Sequence, residues 1–416
     1  MARLRLQHIG PIKEGFVEDD GWLDFKKVTV FIGGQGSGKS TVAKVYSTLS
    51  WIEKALVRGD FSEAELMVER DFLEFFNYQG LRNYFREPDL LSKGSSVQYQ
   101  GDAVQMAHRG GPRLSEMVSR EGDHFHFPKI MYVPAERNFV ATVDRPDLIK
   151  RLPLPLYTFL DEYEAAKQHL SGPVKLPVGG VSFEFNPKSG KSVLAGDGFY
   201  VNLLEASSGF QSLVPLVLVT RFLSDLVLNA RLGNNNLNSL AEVMRMREEI
   251  AELYRNPNLS EAVRGAALAR ISARFGSSSF LNIVEEPEQN LFPSSQKEIL
   301  FELLRCRSKS PENQLVITTH SPYIINYLTL AVKAHHLWQK MGHRDAHPLA
   351  DQLAKIVPPQ SAVSPQDVAV YQIDDQGQIR RLPDYQGIPA DSNYLNNFLM
   401  ESNILFDQLL EIEEEL

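Results

Sequence analysis

Four apolar runs along the chain each end in polar residues or lead into a polar loop. They cover residues 28–32, 129–137, 277–286 and 315–320, and β-branched or aromatic side chains are frequent in them. Residues 42–56, which follow the first run, instead place apolar side chains at the spacing of a helix. Short buried strands that alternate with helices, and that carry polar residues at their carboxyl ends, indicate a mostly parallel α/β sheet.

Strands of another kind are predicted before the first buried run. Residues 3–12 alternate apolar and polar positions, which predicts an edge strand, and residues 16–25 predict a second strand or a turn pair. Two antiparallel strands would therefore lead into the central sheet. Helical insertions are expected at about 52–123 and 230–275, although residues 88–123 look irregular or hairpin-like.

The C-terminal part of the chain, residues 331–416, is predicted to be a helical and hairpin extension. It would pack on a head domain formed by residues 1–330. Residues 368–373 and 378–382 resemble two strands around a short turn. The last predicted helix, at 392–415, is amphipathic, and we expect it to dock on its own domain rather than on a partner.

Composition and charge narrow the classes of function. A net charge of −9 argues against a protein coated for general nucleic-acid binding, but local pairs of basic residues leave DNA binding open. The single cysteine, Cys306, excludes an intramolecular disulfide framework and a multi-cysteine zinc site. Residues 213–219, the most apolar run, are too short to span a bilayer, and the first residues lack the apolar block of a signal peptide. These features predict a cytoplasmic protein without membrane contact.

A glycine-rich loop with one lysine lies between the first buried run and its helix. In such a strand–loop–helix segment, backbone N–H groups can turn inward around an anion, and the helix start adds its positive dipole end. Lys39 would reach the β- and γ-phosphates, and Ser40 would bind Mg²⁺. The segment predicts nucleoside triphosphate binding through the following residues: Gly33, Gly34, Gln35, Gly36, Ser37, Gly38, Lys39, Ser40 and Thr41.

A second candidate anion site opens the most apolar helix. Its first residues include Ser207, Ser208, Gly209 and Gln211. The two serines can cap the helix, and the free N–H groups of its first turn can bind an anion. We therefore include these four residues among the predicted nucleotide contacts.

Carboxylates and a histidine end the last two buried runs. Hydrolysis of a γ-phosphate requires anchored phosphates, a metal ion, a polarised water and charge compensation. Glu285 would steady Mg²⁺ through its water shell, and Glu286 would orient the attacking water or accept its proton. His320 stands where a γ-phosphate sensor would form a hydrogen bond. Lys39, Glu286 and His320 are therefore the predicted catalytic residues.

At these motifs the chain resembles the ABC-type ATPase heads of the RecF, SMC and OLD-like families. The matches are Walker A at 33–41, the signature sequence at 207–211, Walker B at 280–286, the D-loop at 287–293 and the H-loop at 319–320. The resemblance implies an α/β fold: a P-loop ABC-type ATPase head with a mixed sheet, antiparallel N-terminal strands and helical insertions. ATP and Mg²⁺ would be its ligands. Glu285 replaces the usual Walker B aspartate, and Phe210 replaces a signature glycine.

The resemblance also implies partners. In these families the signature helix of one subunit caps the γ-phosphate bound by another, which gives a two-fold, ATP-sandwiched homo-oligomer. The chain lacks a long coiled coil and recognisable Toprim carboxylates, as do compact ATPases of bacterial antiphage systems. That similarity implies a Toprim-type nuclease effector supplied in trans and a phage-encoded trigger protein. The alternatives are a RecF-like DNA-repair clamp and a nucleotide-gated assembly module with negligible turnover.

Overall fold

A computed structural model describes most of the chain. The described residues are 2–69, 71–87, 94–111, 113–119, 125–143, 149, 151–232, 248–249, 251–252, 255, 277–342 and 348–414. The predicted insertion at 230–275 falls almost entirely outside them. In chain order the strands are β1 (Arg3–Gln7), β2 (Gly15–Phe16), β3 (Leu23–Asp24), β4 (Val28–Gly33), β5 (Ser96–Gln100), β6 (Val104–Arg109), β7 (Glu116–Ser119), β8 (Pro128–Val133), β9 (Val174–Lys175), β10 (Ser182–Asn186), β11 (Lys191–Gly196), β12 (Phe199–Asn202), β13 (Ser279–Glu285), β14 (Gln314–Thr319), β15 (Val368–Ile373), β16 (Gln378–Arg381), β17 (Asp384–Tyr385) and β18 (Ile388–Pro389).

Eight α-helices connect or cover these strands. They are α1 (Lys39–Arg58), α2 (Phe139–Thr142), α3 (Leu154–Gln168), α4 (Ser208–Arg231), α5 (Pro293–Ser308), α6 (Pro322–Met341), α7 (Ala350–Ile356) and α8 (Tyr394–Glu414) within the described residues. Short 3₁₀ turns lie at Asp19–Gly21, Phe72–Asn77, Arg82–Tyr84, Ala135–Asn138, Leu203–Glu205, Pro359–Ser361 and Pro365–Asp367, with a π-turn at Glu65–Glu69.

The central sheet has seven strands in the order β2-β16-β15-β4-β14-β13-β8. The five strands from β15 to β8 are mutually parallel, whereas β16 runs antiparallel to β15. The sheet is therefore mixed, with β4 at its centre between β15 and β14. Parallel strands place their carboxyl ends at one edge, where ligands of open α/β sheets bind.

Two layers cover the central sheet, because its buried strands alternate between two apolar faces. On one face Phe31 and Val316 pack with Val45 of α1 and with the smaller antiparallel sheet β3-β1-β5-β6-β7. On the other face Val30 and Ile317 pack with α3, α4, α5 and α6. A separate antiparallel sheet, β12-β11-β10-β9, adjoins this helical side. The fold is that of a P-loop ATPase head.

Helix α4 is long and apolar enough to cross a membrane by composition alone, and it is the one such helix among the described residues. Its apolar character has another explanation, since 61% of its most hydropathic window is buried. Leu213, Leu216 and Val217 belong to the core between α4 and the sheet. A central core helix is expected to be apolar on most sides.

The predicted insertion at 52–123 is not helical throughout, since antiparallel strands lie where residues 88–123 looked hairpin-like. Helix α1 ends at Arg58, where Gly59 caps it at φ 80°, and β5, β6 and β7 form an antiparallel sheet further along. Strand β5 pairs with β1, which is therefore an inner strand and not the predicted edge strand. Val97 and Tyr99 of β5 are buried at the two-residue spacing that a strand imposes.

Residues 331–416 were predicted to be an extension that packs on the head, but part of this segment belongs to the head's own sheet. Residues 368–373 and 378–381 do form the predicted hairpin, but β15 pairs in parallel with β4 along the latter's whole length. The chain thus completes the central sheet only in its last fifth. Sequence patterns reveal a strand but do not reveal its distant partner, because pairing is a non-local property.

Helix α8 differs from its predicted docked position. Leu395, near its start, is buried, but Leu405, Phe406 and Leu409 are more than half exposed. Among the side chains that the structure describes, those at the first turn of α8 lie against the head, whereas Leu405, Phe406 and Leu409 contact solvent.

Candidate phosphate-binding and hydrolytic site

The glycine-rich loop lies at the carboxyl end of β4 and leads into α1, as predicted. Gly33 has φ 152°, and a Cβ atom there would lie 2.3 Å from the carbonyl oxygen of Ile373 in β15. Gly38 has φ 109°, and a Cβ atom there would lie 2.5 Å from Ile12 Cδ1. Both positions require glycine for lack of space as well as for backbone conformation.

Lys39 folds back onto this loop. Its Nζ donates hydrogen bonds to the carbonyl oxygens of Gly33, at 2.9 Å, and Gly34, at 2.7 Å. The same atom lies 3.2 Å from Nδ1 of His320. Burial lowers the pKa of Lys39 to about 8, and the carboxylates of Glu286, Glu288 and Glu285 oppose that shift. The three donors of the lysine therefore face two loop carbonyl oxygens and His320, partners that a phosphate would replace.

His320 links Lys39 to Glu286. Its Nε2 lies 3.1 Å from Oε1 of Glu286, on the opposite side of the ring from Lys39. A protonated lysine can only donate, so Nδ1 of His320 must accept and Nε2–H must face Glu286. That hydrogen bond is the main reason why the pKa of Glu286 is lowered. The three predicted catalytic residues thus form one hydrogen-bonded row.

The sheet order explains this row. Strand β14 lies between β4 and β13, with Thr319 level with Ile32 and Thr318 level with Glu285. Lys39 follows the carboxyl end of β4, His320 follows β14 and Glu286 follows β13. Three neighbouring parallel strands therefore bring together residues that are up to 281 positions apart, from Lys39 to His320.

The backbone of Glu286 has a left-handed conformation, with φ 44°. Its N–H donates to the carbonyl oxygen of Thr318 at 2.8 Å. The guanidinium of Arg137 donates to the carbonyl oxygens of Glu285, at 2.7 Å, and Glu286, at 2.6 Å. Arg137 is fully buried, which lowers its pKa to about 10. A non-glycine residue in this conformation costs on the order of 1–3 kcal/mol, and these bonds hold it in place.

Arg137 ends the second buried run of the sequence, residues 129–137. Its hydrogen bonds go to main-chain carbonyls, including that of Pro134 at 3.4 Å. It therefore positions the backbone under Glu286. Its place after a buried strand was the sequence signal for it.

Glu288 is a site residue that the sequence did not single out. One oxygen, Oε1, accepts hydrogen bonds from the Thr319 hydroxyl and from the His320 N–H, both at 2.7 Å. Burial raises the pKa of this carboxyl. The hydrogen bond from the His320 N–H to Glu288 fixes the position of the His320 main chain and so helps to orient its ring. In the sequence, the feature that could have identified Glu288 is its position as a third carboxylate, two residues after Glu286.

Glu285 points to the α1 side of the sheet. Its Oε1 accepts from the Tyr132 hydroxyl at 2.5 Å, and its Oε2 accepts from the Ala135 N–H at 3.1 Å. Both oxygens are therefore already hydrogen-bonded, and the carboxylate is 4% exposed. This arrangement favours metal contact through water rather than direct ligation.

The residues around Ser40 fit a Mg²⁺ ion. The hydroxyls of Ser37 and Thr318 are buried without a hydrogen-bond partner in the described part of the chain, and Thr318 is level with Glu285. Hard oxygen donors beside carboxylates are the ligands that Mg²⁺ prefers. Across the described ranges, no three His, Cys, Asp or Glu side chains form a metal cage. Sites with few protein ligands are usual for Mg²⁺ bound with phosphates.

The predicted signature residues lie at the start of α4, apart from the row of catalytic residues. Ser207 is the N-cap residue, but its side chain makes no capping hydrogen bond, and both Ser207 and Ser208 are exposed. Gly209 packs on the loop after Glu288, since a Cβ atom there would lie 2.8 Å from the carbonyl oxygen of Asn290. The helix start is thus fixed to the loop that follows the candidate catalytic glutamate.

The predicted role of Gln211 as a nucleotide contact is wrong. Its side chain is 8% exposed, and its Nε2 donates to the carbonyl oxygens of Leu203, at 3.2 Å, and Leu204, at 3.0 Å. One helical turn after Ser207, the side chain points back toward the preceding 3₁₀ turn. Gln211 therefore fastens α4 to that turn.

One family matches the chain in sequence. Residues 265–325 match the AAA ATPase domain family. This segment contains Glu285, Glu286, Glu288 and His320, the carboxylates and histidine of the candidate site. No curated protein matches the chain.

Solved structures of ATPase heads resemble the chain in fold. The SMC head domain from Thermotoga maritima is 12% identical, with 78% of this chain and 90% of that chain covered and a TM-score of 0.34. A Pyrococcus furiosus Smc head with an extended coiled coil, bound to the C-terminal domain of ScpA, is 12% identical, with 92% and 96% covered and a TM-score of 0.38. A dimeric ABC transporter cassette is 11% identical, with 92% and 100% covered and a TM-score of 0.24. At these scores the strand order and the phosphate loop define the fold, and the likenesses add no argument to them.

Proposed function

We propose that the chain is an ABC-type ATP hydrolase whose active site is completed by a second copy. The observation that carries the proposal is the row Lys39–His320–Glu286 at the carboxyl ends of three neighbouring strands. It combines a phosphate-binding lysine, a hydrogen-bond donor and an ionised carboxylate beside a glycine-rich loop. These are the groups that positioning and charge stabilisation of a transferred phosphoryl group require.

The residues would act in order as ATP enters. The β- and γ-phosphates replace the carbonyl oxygens of Gly33 and Gly34 as partners of Lys39, while the loop N–H groups and the start of α1 bind the remaining oxygens. His320, released from Lys39, turns its Nε2–H from Glu286 to the γ-phosphate. Glu286, an ionised carboxylate freed of that bond, orients the attacking water and accepts its proton. Mg²⁺ held by Ser40 and Glu285 would neutralise charge on the phosphate oxygens.

The second copy would supply Ser207, Ser208 and Gly209. Ser207 and Ser208 are exposed and so accessible to another subunit, and the first-turn N–H groups of α4 suit a γ-phosphate. A two-fold arrangement would hold two ATP molecules between two chains, which gives an isologous interface. Gly209 packs on the loop after Glu288. A change in that loop on hydrolysis at Glu286 would therefore shift the start of α4 and so alter the interface between the two chains.

In the cell, we propose that this switch is a sensor and scaffold of an antiphage defence system. By overall plan the chain resembles AriA, the ATPase of the PARIS system, which supports a Toprim-type nuclease effector held in trans and a phage-encoded trigger. The acidic net charge of −9 favours this reading over a RecF-like clamp that binds DNA directly. An assembly module with negligible turnover is the remaining alternative. Every one of these roles belongs in the cytoplasm.

The hydrolase is tested by steady-state ATP turnover of wild type and Glu286→Gln, with nucleotide binding measured in parallel. Loss of the general base predicts a fall in kcat of about 10²-fold at nearly unchanged affinity. Lys39→Ala should instead abolish binding. Equal turnover by wild type and Glu286→Gln would contradict hydrolysis at this site and would favour the assembly module. Salt-dependent binding of DNA by the isolated protein would support the clamp.

A further inference from the structure

Helix α8 carries a continuous exposed apolar face. Leu405, Leu409 and Ile412 follow one another at four- and three-residue spacing, and they are 53%, 62% and 56% exposed. Phe406 and Leu410 widen this stripe on one side, at 60% and 43% exposed. Side chains at these spacings lie on one helix face. A contiguous patch of this kind on a folded protein marks an interaction surface.

The charges on the same helix have one sign. Residues 394–416 contain six carboxylates and no lysine, arginine or histidine. Glu401, four residues before Leu405, and Glu413, four residues after Leu409, lie at the two ends of the stripe, whereas Asp407 and Glu411 lie on the opposite side. The surface offered is therefore an apolar stripe with a carboxylate at each end.

The root of α8 touches the phosphate loop. The Tyr394 hydroxyl donates to Asp375 Oδ1 at 3.0 Å, and the Tyr394 N–H donates to Gln372 Oε1 at 2.9 Å. A Cβ atom on Gly34 would lie 3.0 Å from the Tyr394 hydroxyl and 3.1 Å from Asp375 Oδ1. Gly34 is the residue whose carbonyl oxygen receives Lys39. A change in the loop on nucleotide binding therefore acts on the first residue of α8.

We propose that α8 is a docking helix for a basic amphipathic helix of a partner protein, and that nucleotide at the phosphate loop changes its affinity. The partner helix buries its apolar side on Leu405, Leu409 and Ile412, and its lysines or arginines face the carboxylates at the ends of the stripe. If a second copy of α8 docked here, only carboxylates would lie beside the contact, and they would repel one another. An anionic membrane would repel the same carboxylates. Charge complementarity thus selects a basic protein partner.

The docking proposal depends only on α8 and not on the proposed ATPase function. It is tested with two synthetic peptides. Both have leucine at heptad positions a and d, and they carry either lysine or glutamate at positions e and g. The lysine peptide should bind the full chain at least about tenfold more tightly than the glutamate peptide, with the difference reduced by salt. Equal affinities would overturn the proposal, and so would self-association of the protein through α8 seen by sedimentation.

Two variants separate docking from folding. Leu405→Glu/Leu409→Glu adds charge to the stripe and should lower binding of the lysine peptide at least about tenfold. Asp407→Glu keeps the charge on the side opposite the stripe and should leave binding unchanged. Both substitutions are at exposed positions, so the melting temperature should not fall. A stripe variant that binds like wild type would contradict docking on this face.

The nucleotide linkage rests on the proposed function and has its own test. Peptide affinity is measured with and without a non-hydrolysable ATP analogue, whose own binding is followed by fluorescence. A reproducible change of threefold or more in wild type, reduced in Tyr394→Phe, is expected. If the analogue binds and the peptide affinity does not change, the linkage is wrong and the nucleotide site stands. If the analogue does not bind at all, the proposed function fails while the peptide result still decides docking.

Discussion

Lys39 Nζ lies 3.2 Å from Nδ1 of His320, and this contact joins the phosphate loop to the end of the neighbouring strand. It holds the lysine on the loop and fixes which ring nitrogen of His320 carries the proton. In the proposed mechanism, binding of a triphosphate would break this contact, because the lysine would turn to the phosphates. The same event would release His320 beside Glu286 and so prepare the residues proposed for hydrolysis.

Substitution of His320 tests its place in the row. His320→Ala removes the donor to the γ-phosphate and should lower kcat about tenfold or more, with nucleotide affinity changed less than about threefold. His320→Gln, which keeps a donor and an acceptor, should recover part of the loss. His169→Ala, at the exposed end of α3, is the matched control. A larger loss of affinity than of kcat would place His320 in binding alone.

The lowered pKa of Lys39 predicts how nucleotide affinity depends on pH. Below about 8 the lysine is charged in both free and bound protein, so affinity should be flat. Above that value Lys39 loses its proton in the free protein, whereas bound phosphates stabilise the protonated lysine. Nucleotide affinity should therefore fall by up to about tenfold per pH unit. A fluorescent ATP analogue in EDTA between pH 7 and 9.5 measures this. Lys39→Arg stays charged and should give a flat profile, whereas a flat wild-type profile would contradict the assignment.

Arg137 should act on turnover through the backbone of Glu286. In Arg137→Lys the charge remains, but the fork that holds two carbonyl oxygens is lost. We expect kcat to fall about tenfold with KM little changed, together with a lower melting temperature. Glu136→Gln, at the exposed neighbouring position, serves as control and should behave as wild type. If Arg137→Lys lowers only stability, Arg137 has no positioning role.

Gly209 allows the start of α4 to pack on the loop after Glu288. In Gly209→Ala the added methyl would lie 2.8 Å from the carbonyl oxygen of Asn290, and overpacking of this kind costs about 1–3 kcal/mol. Turnover should fall more than nucleotide binding, because α4 and the loop move apart. Gly172→Ala, where a Cβ meets nothing within 4 Å, is the control. Thermal unfolding and ATP turnover are measured for both variants. If Gly209→Ala has the melting temperature and the turnover of wild type, the contact between Gly209 and the loop has no such role.

The sequence predicted the local parts of this molecule well. The phosphate loop between β4 and α1, and the placement of Glu286 and His320 at strand ends, follow from patterns within a few residues. Neighbouring parallel strands then make those residues converge. The hairpin of β15 and β16 was predicted for the same local reason.

What was not predictable depended on distant pairing or on side-chain direction. The position of β15 beside β4, and of β5 beside β1, is set by contacts between segments far apart in the chain. Gln211 is part of the signature match, yet its side chain points inward. A shift of one position along a helix is enough to turn a side chain from the surface to the core. Glu288 was missed because its partner, the main chain of His320, is 32 residues away.

The shared active site is tested most directly by mixing two inactive variants. Lys39→Ala removes the phosphate contact, and Ser208→Arg blocks the exposed start of α4 without touching the phosphate loop. Each protein alone should be inactive, but random mixing in equal amounts should restore about a quarter of wild-type ATP turnover, from one working site in each mixed dimer. Full activity of Ser208→Arg alone, or no recovery in the mixture, would contradict a site built from two chains.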